Sequence, residues 1–599
     1  MSILDRLNNG HDLKELNIKE LNALCLEIRD KIVSTVDVNG GHLSSNLGSV
    51  ELTVALHYVF DIPTDKLIFD VGHQSYAHKI LTNRNVDFST LRQKGGISGF
   101  PDPNESESDA FIAGHAGTSI ASGLGYCYSR DITGDDYYVI SVVGDASLFN
   151  GENLEAITSS RIKPNKFLLI LNDNGMSINK NDNGFYKIIS KITIKKGYSR
   201  FNSFLAKTIG KTFIGKFLRK IKRSFKRTIT SNSIVDNVGL KYVGKFDGHD
   251  LKTLINLFKD IKELNQPTFL HLKTVKGKGN YEAEKDSTRF HGVSKNLGAS
   301  QNYFSKGVSQ ILNEKIIKYP NIVAITAGMK EGVGLLDFSL KHSKSFVDVG
   351  IQEEFAVTLA GGMAKGGAKP IVFTYSTFMQ RAYDQILHDV CLQNLPVILC
   401  LDRAGFVGSD GKTHQGLFDI SYLSHLPNIK IFAPINLEEF SLAIETAIKL
   451  NSPVAIRYPS GQIEEVKAKT YFDTDLKWDI LSEGDDGNVI LAVGSRLINL
   501  ALECKNISNK NITVINARCI KPLDFELLDK IYDKNIIVLE ENAEIGGFGS
   551  QILTYYNSIN KNVNVSIFGV KDKFIEHATV SEQLESCGFT PDNIISKFI

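Results

Sequence analysis

The sequence predicts an α/β protein of three domains, each built on a mostly parallel sheet flanked by helices. Three observations carry that expectation. Nine short apolar runs, most of them rich in β-branched residues, alternate with helical stretches. That alternation is the pattern of buried parallel strands joined by crossover helices. The runs fall into three groups, and 599 residues are too many for one core at roughly 100–200 residues per domain.

Taken in order, Leu13, Leu16, Leu21, Leu24, Ile28 and Ile32 recur every three to five residues and predict a helix over 13–35. Residues 50–60, VELTVALHYVF, predict a second and mostly buried helix. Tyr138–Val143 and Phe167–Leu171 form the first group of strands. Ile322–Thr326, Ile371–Thr374, Val397–Leu401 and Ile429–Phe432 form the second. Val489–Val493, Ile512–Ile515 and Ile536–Leu539 form the third. Gly277–Ser300 is rich in Gly, Lys and Ser, and Ser460–Gly487 mixes charge with glycine. Read as linkers, they give domains at 1–295, 296–470 and 471–599.

Composition excludes several classes. Lys plus Arg number 68 against 67 Asp plus Glu, which argues against a globally basic nucleic-acid binder and against an acidic disordered chain. The seven cysteines are scattered and form no C-x-x-C pair, so neither a disulfide framework nor a structural zinc site is expected. MSILDRLNNGHDLKEL at the start has no apolar signal core, and no run reaches the 18 apolar residues of a membrane span. The expectation is a reduced, cytoplasmic enzyme. One segment departs from the rest: Lys191–Thr230 holds 13 Lys or Arg and no Asp or Glu. Within it Leu205, Ile209, Phe213, Phe217, Ile221 and Phe225 repeat every four residues, an apolar stripe beside a basic face if helical. Three readings stay open: a basic cover over an anionic active site, a solvated insert, or a contact with anionic membrane or nucleic acid.

The chemistry concentrates in VVGDASLFNGENLEA (142–156) and LILNDNGMS (169–177). One buried strand ends in Gly144-Asp145. The next ends in Asn172-Asp173-Asn174, and Asp145 and Asn174 are 29 residues apart, about one strand–helix–strand unit. Ligands of open parallel sheets bind at the carboxyl ends of strands. A carboxylate and an amide oxygen there suit a hard cation such as Mg²⁺, completed by waters and phosphate oxygens.

This spacing resembles the thiamine-diphosphate motif, and the surrounding text resembles the 1-deoxy-D-xylulose-5-phosphate synthase family. The matching segments are GGHLSSNLGSVELTVALHYVF (40–60), FDVGHQSYAHKIL (69–81), RQKGGISGFP (92–101), GHAGTSIASGLG (114–125), YVGKFDGHD (242–250), TYSTFMQRAYDQILHDV (374–390), DRAGFVGSDGKTHQGLFDISYL (402–423) and EENAEIGGFGS (540–550). The resemblance spans nearly the whole chain except Lys191–Thr230. It implies a transketolase-like, thiamine-diphosphate-binding fold of three α/β domains, a homodimer, and thiamine diphosphate with Mg²⁺ as cofactors. It also implies a reaction: pyruvate condenses with D-glyceraldehyde 3-phosphate, releasing CO₂ and giving 1-deoxy-D-xylulose 5-phosphate, a precursor of isoprenoids, thiamine and pyridoxal.

The resemblance also implies roles. Asp145, Asn174 and the carbonyl of Met176 would bind the metal. Gly114, His115, Ala116, Gly144, Ala146 and Ser147 would bring backbone close to the diphosphate. Glu353 of IQEEFAV would hydrogen-bond the aminopyrimidine and stabilise its imino tautomer, and Phe378 would stack on that ring. His42, His73 and His414 would surround the reacting carbon and move protons, with His73 also touching the cofactor and His291 a weaker candidate. Tyr375, Arg381, Arg403 and Asp410 match acceptor-side residues, Arg403 holding a sugar phosphate by a charge-assisted fork.

Three positions depart from the family text. Its G-D-G is Gly144-Asp145-Ala146 here, its E-Q-H is Glu353-Glu354-Phe355, and Ser460 of RYPSG stands where the family has a second phosphate-binding arginine. The last loss puts the acceptor in question, so the same-class alternative is a relative that joins pyruvate to a different aldehyde. Lys412 or the basic segment could compensate. Rivals from other classes are a non-catalytic cofactor-binding paralogue and a surface-binding protein built around the basic segment.

Overall fold

The computed structural model describes residues 2–8, 12–159, 164–175, 238–293, 303–461, 466 and 472–598. The basic segment and Met176 lie outside the described residues. The chain forms two compact units: Met1–Leu91 with Gly99–Ala299, and Arg92–Ser98 with Ser300–Ile599.

The first unit is built on a five-stranded parallel sheet. Its strands are β1 (Lys66–Phe69), β2 (Val139–Gly144), β3 (Phe167–Asp173), β4 (Lys241–Asp247) and β5 (Thr268–Lys273), in the order β1-β2-β3-β5-β4. Every residue of β3 is buried, which requires cover on both faces and explains why its sequence is a continuous apolar run. Helix α1 (Ile18–Asn39) starts at a capping box in which Asn17 and Glu20 satisfy each other's backbone N–H groups. Helix α2 (Val50–Val59) is buried along nearly its whole length. Helix α3 (Thr118–Thr133) lays Ile120, Leu124 and Cys127 against Val139, Val143 and Leu169 of the sheet. The carboxyl ends of β2 and β3 are adjacent, since Gly144 pairs with Asn172.

The second unit holds two sheets. The larger contains β6 (Ile322–Thr326), β7 (Phe346–Asp348), β8 (Lys369–Tyr375), β9 (Ile398–Asp402), β10 (Lys430–Phe432) and β11 (Val454–Arg457), with helix α4 (Glu353–Lys365) running between β7 and β8. The other sheet contains β12 (Asp479–Ser482), β13 (Asn488–Ala492), β14 (Ile512–Asn516), β16 (Asn535–Ala543) and β17 (Asn564–Val570) in the order β12-β14-β13-β16-β17. Strand β15 (Cys519–Lys521) leaves that group and pairs antiparallel with β10, giving the larger sheet the order β15-β10-β11-β9-β8-β6-β7. The C-terminal stretch therefore lends a strand to its neighbour.

Candidate active site

In the first unit, the expected metal residues sit where parallel sheets present ligands. Asp145 follows β2 and is 1% exposed. Asn174 follows β3 directly. Burial pushes the Asp145 carboxyl above its ordinary range, and the Lys276 ammonium opposes that rise. The same burial pushes Lys276 down, with Asp145 opposing. Two charges held this deep are stable only with partners. Gly144 looks onto open space where a Cβ would sit, so the site has room beside the carboxylate. A carboxylate, an amide and an ammonium around open space suit a diphosphate carrying a divalent cation.

The end of the GHAGTS turn makes bonds within the protein. The Gly117 and Ser119 amides donate to the Asp70 carboxylate at 3.0 and 3.1 Å, so that part of the α3 N-terminus is already occupied by an anion of the protein. Gly117 has φ +99, and a Cβ there would overlap the Asn150 side chain. Gly114, His115 and Ala116 precede this cap. Ser147 is buried, and its carbonyl accepts from Asn153 at 2.8 Å.

Three histidines meet in the same unit. The ring centroids of His42 and His73 are 5.9 Å apart, those of His42 and His291 5.6 Å, and those of His73 and His291 5.3 Å. His291, the weaker candidate, is thus a full member of the cluster. Asn46 ties the loops together: its amide donates to the His42 and His73 carbonyls at 2.7 and 2.9 Å, and its oxygen accepts from Tyr76 N–H at 2.8 Å. Burial, followed by His42 and Lys276, holds His73 well below its ordinary pKa. Burial, Lys276, His73 and His42 do the same for His291. Both rings are therefore neutral near pH 7, and His73 Nδ1 has no hydrogen-bond partner among the described residues. His414 belongs to the second unit.

There, Glu353 opens α4 and is 4% exposed. Its Oε2 accepts no hydrogen bond among the described residues. Arg381, expected on the acceptor side, has Nη1 3.7 Å from that oxygen. Burial raises the Glu353 pKa to about 7, against the pull of Arg381. The carboxyl can therefore hold or release a proton at neutral pH. Phe378 stacks on Tyr375 at 5.5 Å and meets His414 edge-on at 5.5 Å. The Arg403 guanidinium lies 3.6 Å from the Tyr375 ring centre, and its Nε has no hydrogen-bond partner among the described residues. Asp410 accepts from Arg92 at 2.7 Å, while His414 Nδ1 meets the Thr413 hydroxyl at 2.9 Å.

The departures resolve individually. Ala146 has φ −75, a conformation that any residue adopts. Phe355 is 50% exposed. The Ser460 carbonyl accepts from Arg496 at 2.5 Å. Lys412 pairs with Glu576 at 3.1 Å. Sequence reasoning missed Lys276 and Arg92. Lys276 sits in KGKGN, which fails as a nucleotide loop by its spacing; its burial, not its spacing, marks it. Arg92 opens RQKGGISGFP, but nothing local signals its partner, which is 318 positions away.

Comparison with known proteins decides the family. Residues 4–274 match the model described as 1-deoxy-D-xylulose-5-phosphate synthase, 302–465 the transketolase pyrimidine binding domain, and 476–594 the transketolase C-terminal domain. The chain is similar to the 1-deoxy-D-xylulose-5-phosphate synthase of Clostridium tetani, 42% identical over 100% of this chain and 99% of that one. The enzyme of that name from Dictyoglomus thermophilum is 43% identical over 100% and 98%. The chain belongs to the 1-deoxy-D-xylulose-5-phosphate synthase family. That family is a group of transketolase-like transferases dependent on thiamine diphosphate. Among solved structures, transketolase from Campylobacter jejuni aligns over 97% of this chain and 99% of its own, at 16% identity and a TM-score of 0.42. Among the described residues, no helix is long and apolar enough to cross a membrane.

Proposed function

We propose that this chain condenses pyruvate with D-glyceraldehyde 3-phosphate, with loss of CO₂, to give 1-deoxy-D-xylulose 5-phosphate. The observation that carries the reading is Glu353: a buried carboxyl poised near neutral pH, with one oxygen left for a donor. Thiamine diphosphate, when bound, supplies the carbanion nucleophile and the electron sink for decarboxylation.

The protein's part is geometry and proton control. Asp145 and Asn174 would hold Mg²⁺ together with the Met176 carbonyl, and Lys276 would offset the remaining phosphate charge. Glu353 Oε2 would accept the donor of the pyrimidine ring while Phe378 packs on its face. His42, and the neutral His73 and His291, can take and return protons at their ring nitrogens, and His414 offers the same on the second unit. Arg403, set on Tyr375, would grip the acceptor phosphate, and Asp410 would accept from acceptor hydroxyls.

The reading includes a homodimer, supported by apolar side chains beside the Glu353 helix: Phe355 is 50% and Leu392 69% exposed. Light scattering giving the monomer mass would remove that part. It also includes the cytoplasm, supported by seven cysteines that form no disulfide. Ser460 favours a second reading in which another aldehyde is the acceptor. Product identification from pyruvate with D-glyceraldehyde 3-phosphate, and with a panel of plain and phosphorylated aldehydes, with and without Mg²⁺, tests both. The first reading expects the phosphorylated triose to be preferred and Mg²⁺ to be required. Preference for an unphosphorylated aldehyde would overturn it.

A further inference from the structure

The YVGKFDGHD segment matches the family text, yet none of its residues has a part in the reaction outlined above. Its position explains why it is there. Asn172 and Asp173 end β3 and point to opposite sides of the sheet. On one side Asn172 donates to Gln74 at 2.9 Å and accepts from the Thr274 hydroxyl at 2.5 Å. On the other, the Asp173 carboxylate is buried and gathers donors from three directions. Lys245 Nζ lies 2.5 Å away, His271 Nε2 2.7 Å, and the Gly175 backbone N–H 3.0 Å. Tyr242 completes the line, its hydroxyl 2.8 Å from His271 Nδ1. His271 thus bridges the Asp173 carboxylate and the Tyr242 hydroxyl through its two ring nitrogens, which fixes the plane of the ring.

The edge strand is shaped for this. Gly244 pairs with His271 and Phe246 with Leu272, so Lys245 is the extra residue of a β-bulge. Bulges re-aim a side chain out of the ladder, and they collect beside active sites. A Cβ on Gly244 would come within 2.7 Å of His271 Cβ, so only glycine lets the ring stand there.

The Gly175 N–H bond closes a turn around Asn174. The orientation of Asn174 therefore depends on where the Asp173 carboxylate is held. We infer that Tyr242, Lys245, His271 and Asp173 form a positioning clamp that presents the Asn174 amide to the divalent cation. None of the four is a catalytic residue. The inference rests on the metal reading above.

The test uses the full chain with thiamine diphosphate at a fixed concentration, Mn²⁺ binding being followed by electron paramagnetic resonance. K245M and H271N should weaken Mn²⁺ about 10–100-fold, the usual size of a loss behind a metal ligand. Y242F, which deletes one hydroxyl, should weaken it less. K245R should restore most of the loss, and saturating Mn²⁺ should return kcat and both substrate KM values to those of the parent. A purely structural role would lower the melting temperature and leave Mn²⁺ affinity alone. Parental Mn²⁺ affinity in K245M, H271N and Y242F alike would overturn the clamp. A parent chain that binds no thiamine diphosphate with Mn²⁺ would instead overturn the metal reading itself.

Discussion

Glu353→Gln separates the two effects of the buried carboxyl, because burial that readies it for chemistry also strains the fold. The pKa rises from an ordinary 4.5 to about 7. At about 1.4 kcal/mol per pH unit, the ionised form is disfavoured by roughly 3 kcal/mol in the folded chain. The sign follows from proton binding. Between pH 4.5 and 7 the folded chain holds this proton more tightly than the unfolded one. Stability on this account is full below pH 4.5 and declines as pH rises to 7. Glutamine has no such decline. E353Q should therefore melt at nearly the parental temperature at pH 5 and several degrees higher at pH 8, at roughly 2–4 °C per kcal/mol for a domain of 150–250 residues. Its CO₂ release from pyruvate should fall by about 10²–10⁴-fold, the usual contribution of a positioned proton-transfer group. Differential scanning of the cofactor-free chain at both pH values and a CO₂-release assay read the two effects. An equal melting difference at pH 5 and pH 8 would refute the electrostatic part. A rate within threefold of the parent would refute the catalytic part.

Other consequences follow from the same geometry. Asp145→Ala should cost thiamine diphosphate more of its Mg²⁺-dependent affinity than the 10–100-fold or so typical of a residue behind the ligands, read by calorimetry at limiting and saturating Mg²⁺; unchanged affinity would remove Asp145 from the metal. Asn46→Ala releases the His42 and His73 loops and leaves buried backbone groups unmet, at about 1–3 kcal/mol. A fall in both melting temperature and kcat is expected, and a fall in neither contradicts the link. Gly117→Ala should destabilise the first unit by about 1–3 kcal/mol, because a left-handed backbone is then forced on a residue with a Cβ that also meets Asn150; a neutral melting curve would show that the cap tolerates the shift.

All nine apolar runs are strands, and the reason is physical. A run without polar interruption signals burial on both faces, and β2, β3, β9 and β13 are buried along nearly their whole lengths. Several of the unforeseen strands fail that signal in one of two ways. β7, β12 and β17 lie at sheet edges and keep partly exposed faces. β5 and β11 are buried, but each carries a polar residue: His271 on Asp173 and Arg457 on Asp419. These interruptions reflect hydrogen-bond networks that join distant segments, which local periodicity does not register. The site behaves the same way. Asp145, Asn174 and Glu353 announce themselves through motif text, whereas Lys276, Arg92 and the Asp173 partners matter only once the chain has folded.

The three departures from the family text carry unequal weight, and the fold ranks them. Ala146 needs no left-handed backbone, so the loop after β2 loses nothing by it. Phe355 turns half its surface outward, away from the enclosure that tunes Glu353. Ser460 is different, because the described cations that could be turned to its task are each already paired. Arg457 donates to Asp419 at 3.0 Å and to the Glu541 carbonyl at 3.0 Å. Turning it toward a phosphate would strand a buried carboxylate, a change of about 3–5 kcal/mol. Arg496 is held by Glu541 at 2.6 Å and by the Ser460 carbonyl itself. Lys412 is drawn to Glu576. Within this set Arg403, whose Nε has no hydrogen-bond partner among the described residues, is the one we propose for the acceptor phosphate. Ser460→Arg should lower the acceptor KM by roughly 10- to 150-fold, the equivalent of about 1.5–3 kcal/mol for one added charged hydrogen bond, with the pyruvate KM unchanged. Steady-state kinetics with both substrates varied would show it. An acceptor KM that does not move would mean that position 460 does not face the phosphate, and the case for an altered acceptor would go with it.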